Sequence, residues 1–310
     1  MMPAKDLSVI IPVYNSEATL AELVEKLCGE FSGKYDYEII LVNDGSKDQS
    51  YEVCKKIAAG KKFVKFLSLF RNYGQINALM AGLNEAEGKI SLIMDDDLQN
   101  LPKDTHKLIA KINEGFDFVF GIPKKPKQSF FRIFGSRLTY WMAEIMLGKP
   151  KNLYPSSYLA LTHGLAREII KYGGPYPYLS GLIFRVSKNG TNVIVDQDPR
   201  KYGVSQYSLT KLLCLWLNGF TNFSVLPLRI SSLFGLIVAL IGFLVLIYLL
   251  IQKVFFTTFL GGWVSIIGAI LLFSGIQLLA LGIAGEYVGR IFMLLNKSPQ
   301  FSIKERYNCG

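Results

Sequence analysis

The sequence predicts an α/β protein: a doubly wound, mostly parallel sheet, followed by amphipathic helices at a membrane surface and a two-helix transmembrane hairpin. Three observations predict it. Apolar runs alternate with helical spacing through residues 7–122, polar motifs stand at the ends of those runs, and two long uncharged blocks follow residue 229. With 310 residues, half of them hydrophobic and 19% charged, the chain is too apolar to be disordered.

Leu7–Val13, Glu38–Val42, Val64–Leu69, Ile90–Met94 and Phe116–Phe120 read as buried parallel strands. Between and after them, segments near 17–31, 48–59, 75–86 and 102–114 carry helical spacing. Ser46-x-x-Gln49 has the form of a capping box, and Pro102 stands where a helix begins. Such an alternation places ligands beyond the carboxyl ends of the strands.

After Gly121 the character changes. Lys124, Lys125, Lys127, Arg132 and Arg137 come with no acid among them, interleaved with Phe130, Phe131, Phe134 and Trp141. This is the pattern of an amphipathic helix near 129–147 lying on a membrane surface, with packing against the domain core as the alternative. A second such stretch, near 209–223, holds Leu212, Leu213, Trp216 and Phe220.

Ile230–Ile251 and Val254–Gly285 contain no charged residue. Each exceeds the roughly 20 residues that cross about 30 Å of hydrocarbon, so spans are expected at about 230–251 and 262–285. A purely soluble protein is excluded on this reading. So is a polytopic transporter, because nothing before Ile230 is long enough to span. The expected domains are a globular domain over 1–225, a hairpin over 226–290 and a tail over 291–310. Arg229 precedes the first span, and Arg290, Lys297, Lys304 and Arg306 follow the second, whereas the connection carries only Lys253. The positive-inside bias then puts the globular domain and both termini on the cytosolic side of a plasma membrane.

The net charge of +10 suits an anionic inner leaflet. No nucleic-acid partner is expected, since no such motif is present and the charge sits beside the apolar blocks. Leu7–Val13 is short and no small-x-small site follows it, so no signal peptide is expected. Four cysteines without paired spacing and two histidines give reduced thiols and no zinc constellation. Gly261-Gly262, Gly268, Gly275, Gly282 and Gly285 permit close helix packing, which points to a homo-oligomer. Glu286 and Arg290, four apart, read as an ion pair.

The strongest chemical signal is Met94-Asp95-Asp96-Asp97-Leu98-Gln99 at the end of a predicted strand. Three adjacent carboxylates repel one another unless a cation is present. Oxygen ligands at a strand terminus suit Mg²⁺ or Mn²⁺ bridging a diphosphate, although an acidic turn taken alone is more often a solvated loop. Pro12-Val13-Tyr14-Asn15, Asn43-Asp44-Gly45-Ser46 and Arg71-Asn72-Tyr73-Gly74-Gln75 close the first three strands in the same way. Four consecutive strands thus deliver polar groups to one edge, and together they indicate nucleotide binding. Asp44 is placed to accept from a base N–H or a ribose hydroxyl, and Gly45 to let the chain turn.

With these motifs, the chain resembles the polyprenyl-phosphate branch of the family 2 glycosyltransferases of GT-A fold. That branch holds dolichyl-phosphate mannose synthase, the bactoprenol glucosyltransferases and the undecaprenyl-phosphate aminoarabinose transferase. Arg200-x-x-Gly203-x-Ser205-x-Tyr207-Ser208, Pro227-Leu228-Arg229 and Gly285-Glu286-Tyr287-Val288-Gly289-Arg290 extend the resemblance over nearly the whole chain. It implies inverting transfer from a UDP-type nucleotide sugar to undecaprenyl phosphate at the cytosolic face of a bacterial inner membrane. Under it, Asp44 binds the nucleoside, Pro12 and Tyr14 wall the base pocket, and Gly45, Gln75, Asp95 and Asp96 complete the nucleotide-sugar site. Asp97 and Gln99 hold the divalent metal, Mg²⁺ or Mn²⁺. Asp95, Asp97 and Arg200 serve catalysis, and Lys124, Lys125, Arg132, Arg137, Arg200, Ser205 and Tyr207 approach the acceptor phosphate.

In two places the chain departs from the family pattern. Asn152-Leu153-Tyr154-Pro155-Ser156-Ser157-Tyr158 contains no carboxylate where the family often has one, and Gln206 stands where a lysine is common. A phosphomonoester is largely a dianion at cytosolic pH, so it needs no proton removed before it attacks. No carboxylate general base is therefore expected. Two rival readings remain at this level. One is a processive polysaccharide synthase, which needs more spans and a Gln-x-x-Arg-Trp motif. The other is a non-catalytic membrane scaffold, against which the intact aspartate motif argues.

Overall fold

The computed structural model describes residues 3–124, 149–174, 177–198, 226–255, 262–296 and 299–309. The amphipathic helices expected near 129–147 and 209–223 lie outside them. The chain divides into two compact units, Met1–Leu212 with Lys297–Gly310, and Leu213–Asn296.

The first unit is built on one eight-stranded sheet. Its strands are β1 (Lys5–Val13), β2 (Tyr37–Asn43), β3 (Val64–Leu69), β4 (Gly88–Ile93), β5 (Phe118–Pro123), β6 (Leu159–Thr162), β7 (Gly190–Val195) and β8 (Ile303–Tyr307), in the order β7-β5-β6-β4-β1-β2-β3-β8. The helices are α1 (Leu20–Phe31), α2 (Ser50–Gly60), α3 (Gln75–Glu85), α4 (Thr105–Asn113), α5 (His163–Ile170) and α6 (Leu179–Val186). The centre forms because β1 and β2 are buried on both faces, which a parallel strand covered by helices requires. Ile10 stands opposite Ile40 on one side and Ile93 on the other. Leu20, Leu23, Val24, Leu27 and Phe31 give α1 a single apolar stripe against that sheet. On α3 the absence of a side chain at Gly82 lets the helix close on the strands, since a Cβ there would stand 2.5 Å from Ile10 Cγ2.

The five strands expected from apolar runs all form, but the sheet is not uniformly parallel. β6 inserts antiparallel between β4 and β5, and β8 adds antiparallel to β3. Phe118–Pro123 therefore runs in the expected direction without touching β4. The stretch expected as a tail supplies β8, a half-exposed edge whose Lys304 and Arg306 face solvent in the manner of protected sheet edges. The capping box does not form. Ser46 Oγ accepts from Asn15 N–H at 3.1 Å, and α2 starts later, with Asp48 Oδ1 accepting from Ser50 N–H at 3.0 Å. Pro102 opens a 3₁₀ turn that leads into α4, as expected.

The second unit contains α7 (Leu226–Phe255) and α8 (Trp263–Leu295), which pack on one another. Among the described residues one stretch, Phe273–Leu295, is long and apolar enough to cross a membrane, and Ser231–Gly242 is a shorter apolar stretch. The apolar stretch of α8 thus ends ten residues beyond the expected 262–285. Leu236, Leu240, Leu278 and Leu281 are each at least 60% exposed. Arg290 and Glu286 form the expected ion pair at 2.6 Å. Among the described residues, a Cβ at Gly275, Gly282 or Gly285 would meet nothing within 4 Å.

Candidate active site

The carboxyl ends of β1, β2, β3 and β4 meet in one hydrogen-bonded edge. After β1, Asn15 takes a positive φ of 55°, and its Oδ1 accepts from Lys47 N–H at 2.8 Å. Ser16 N–H donates to Ser50 Oγ at 2.8 Å, and Gln49 N–H to Glu17 Oε2 at 2.7 Å. These bonds tie the first loop to the second. Pro12 is buried inside β1 in register with Val42, while Tyr14 is half-buried at the strand end.

Asp44 is almost fully buried. Its Oδ1 accepts from Tyr73 N–H at 2.7 Å and its Oδ2 from Gly74 N–H at 2.9 Å. Burial pushes its pKa above the ordinary carboxylate value, and the two backbone donors work the other way. The described geometry makes Asp44 the anchor of the loop after β3. Gly45 follows at φ 66°, where a Cβ would stand 2.6 Å from the Arg71 carbonyl carbon. No other residue fits without moving that loop. The turn expected at Gly45 is thus also a close approach between two backbones.

The aspartate loop after β4 is held from three sides. Asp95 Oδ1 accepts from Gln75 Nε2 at 2.6 Å, and its Oδ2 from Ser157 Oγ at 2.5 Å. Asp96 Oδ2 accepts from Tyr14 N–H at 3.3 Å and from the Ser16 hydroxyl. Asp97 Oδ1 accepts from Gln99 N–H at 3.1 Å, and Leu98 between them takes φ 60°. Burial pushes the Asp96 carboxyl up to about 6. The donors Ser16 and Tyr14 oppose that shift, and the neighbouring Asp95 and Asp97 charges add to it.

Two further strand ends reach the same edge. Lys124 is exposed directly after β5. After β7, Asp198 N–H donates to the Gln99 carbonyl at 3.0 Å and Asp196 N–H to Asp104 Oδ2 at 2.7 Å. Lys125, Arg132, Arg137, Arg200, Ser205 and Tyr207 lie outside the described residues, and the Arg200 segment continues from Asp198.

Sequence reasoning missed the serines. An antiparallel strand begins where its parallel neighbours end, so the residues just before β6 and β8 also lie at this edge. Ser157 precedes β6 and its Oγ donates to Asp95; Ser302 precedes β8 and its backbone carbonyl accepts from Phe70 N–H in the loop after β3. Nothing in a lone serine signals this, and only the strand direction does.

Asp95, Asp97 and Gln99 supply hard oxygen donors on one loop. Among the described residues no three His, Cys, Asp or Glu side chains cluster as a ready cage. Hard oxygen donors of this kind suit an ion of the Mg²⁺ or Mn²⁺ type, which takes few protein carboxylates.

Residues 8–166 match the family described as Glycosyl transferase family 2. The chain is 32% identical over 310 residues to the undecaprenyl-phosphate 4-deoxy-4-formamido-L-arabinose transferase of Enterobacter sp. (strain 638), covering 98% of this chain and 94% of the relative. It is also 32% identical over 302 residues to the glycosyltransferase YkcC of Bacillus subtilis (strain 168), covering 97% and 94%. Among solved structures, glucosyl-3-phosphoglycerate synthase from Mycobacterium tuberculosis, in complex with Mn²⁺ and UDP-glucose, superposes with a TM-score of 0.51 at 20% identity. That match covers 69% of this chain and 76% of the other, a likeness of fold.

Proposed function

The chain belongs to glycosyl transferase family 2, and from that premise we propose that it moves a sugar from a UDP-type donor to undecaprenyl phosphate, with inversion, at the cytosolic face of a membrane. The observation that carries the reading is the aspartate loop, framed by Gln75, Ser157, Tyr14 and Ser16 at the edge where a doubly wound sheet binds ligands. The structure of similar fold that holds Mn²⁺ and UDP-glucose supports a nucleotide sugar and a divalent ion, and the named undecaprenyl-phosphate transferases support the acceptor.

In this reading Asp97 and Gln99 hold the ion, and Asp95 faces the ribose or diphosphate. The ion, when bound, offsets the charge of the departing diphosphate. Asp96 pins the first loop beside the base, and Asp44 fixes the loop after β3 from below. Lys124, together with Lys125, Arg132, Arg137 and Arg200, screens the approach of one anion to another. The acceptor dianion attacks without losing a proton, so no side chain acts as general base. The neutral Ser157 in the 152–158 segment fits this, since its hydroxyl donates to Asp95.

The apolar stretch Phe273–Leu295 and the exposed leucines of α7 and α8 support anchoring beside a lipid acceptor, with α7 as the second span. Arg229, Arg290 and Lys297 favour cytosolic ends. Gly275, Gly282 and Gly285, which meet nothing within 4 Å among the described residues, favour contact with a second copy.

The test is direct. Full-length protein in detergent with Mn²⁺ and a panel of UDP-sugars should release UDP only when undecaprenyl phosphate is present. Release of equal size with water alone, or no release with any donor, overturns the reading.

A further inference from the structure

The register of β6 on β4 sets Leu159 opposite Ile93, so two residues further out Ser157 comes level with Asp95 across the end of the ladder. There the Ser157 hydroxyl donates to Asp95 Oδ2 at 2.5 Å, and Gln75 Nε2 donates to Asp95 Oδ1 at 2.6 Å. Each carboxylate oxygen thus meets a neutral donor from a different element.

Both donors are themselves held. Tyr158, next to Ser157, is fully buried; its hydroxyl lies 2.9 Å from Thr105 Oγ1, and its carbonyl accepts from Gly121 N–H at 2.8 Å. A Cβ at Gly121 would stand 2.6 Å from Tyr158 Cδ1, so the missing side chain admits that ring. Gln75 opens α3 directly after Gly74, whose N–H donates to Asp44 Oδ2 at 2.9 Å. Asp96 and Asp97 follow Asp95 in the chain, and like charge turns a loose carboxylate away from its neighbours. A side chain fixed before its ligand arrives spares the ligand the cost of ordering it.

We propose that Ser157 is a positioning residue for donor binding, which together with Gln75 fixes the orientation in which Asp95 meets the nucleotide. The proposal rests on the donor reading above. It gives the carboxylate-free segment 152–158 a task in holding the donor, independent of the acceptor. The same segment has a second tether. Asn192 Nδ2 donates to the Tyr154 carbonyl at 2.9 Å, and Asn192 Oδ1 accepts from Tyr154 N–H at 3.2 Å. Orienting Asp95 and attaching the segment are therefore separable.

The probe is UDP with Mn²⁺, titrated calorimetrically into full-length protein without acceptor, with melting temperature measured in parallel. Ser157→Ala should weaken UDP binding about five-fold, the size expected for one hydrogen bond, at an unchanged melting temperature. Ser157→Thr keeps the hydroxyl and should bind as wild type does. Asn192→Ala loosens the segment at Tyr154 and should also keep wild-type affinity. Wild-type affinity in Ser157→Ala, a five-fold loss that persists in Ser157→Thr, or an equal loss in Asn192→Ala overturns the positioning role while leaving the donor reading intact. Absence of UDP binding by the wild type overturns both.

Discussion

Carboxylates stand at both ends of the central strands, and the two ends treat them differently. At the amino ends, Glu38 accepts from Ser8 Oγ at 2.5 Å and from Glu87 N–H at 2.8 Å, and pairs with Lys65 at 2.8 Å. Lys65 also pairs with Glu87 at 2.9 Å. Burial works to lower the Lys65 pKa, but its bonds to Glu38 and Glu87 outweigh that and keep it above the ordinary value. This end supplies its own cation. At the carboxyl ends, Asp95, Asp96 and Asp97 stand side by side, and Asp96 is held by a backbone N–H and a hydroxyl, both neutral. One end is closed by an internal salt bridge; the other gathers three consecutive aspartates at the edge where a doubly wound sheet binds ligands.

Breaking each end in turn sharpens this contrast. The largest effect is expected at the ligand edge. Asp97→Ala should lower the rate of sugar transfer about 10³-fold, the scale of a lost metal contribution, with an unchanged far-ultraviolet circular dichroism spectrum. At the closed end, Lys65→Met leaves Glu38 buried without its cation. It should cost about 3–5 kcal/mol in chemical denaturation and spare transfer per folded molecule. An activity loss in Lys65→Met larger than its folded fraction explains would erase the distinction.

The smallest effect is the pH dependence of Asp96. An unfolded aspartate releases its proton near 3.8, while this one keeps it to about 6. Between those values the folded chain binds more protons than the unfolded one, so stability falls as pH rises through the window and stays lost above it. Without divalent ion, Asp96→Asn should match wild type near pH 4. Near pH 7 it should be more stable by about 1–2 kcal/mol, allowing for solvent screening at a half-buried site. A gap that opens toward low pH instead would contradict the assignment.

The contrast also explains what the sequence made legible. β1 to β4 were readable because a strand buried on both faces is written as an uninterrupted apolar run, and their polar ends followed. β6 is four residues long, β7 begins Gly-Thr-Asn, and β8 alternates Ile-Lys-Glu-Arg-Tyr. None has a run to read, and β8 finds its partner β3 more than 230 residues away in sequence. The acidic loop was legible as chemistry, but the arrangement around it was not. A carboxylate at a strand end looks the same in sequence whatever surrounds it, so the two backbone N–H groups that donate to Asp44 could not be read from the motif.

The position of β8 has a consequence for biogenesis. Ribosomes deliver a chain in order, and folding units generally form as they emerge. β1 to β7 can assemble early, but β3 must wait with an open edge until α7 and α8 have been synthesised. The sheet is completed only after the apolar helices exist, so a nascent chain that has not yet made them has no finished active-site edge.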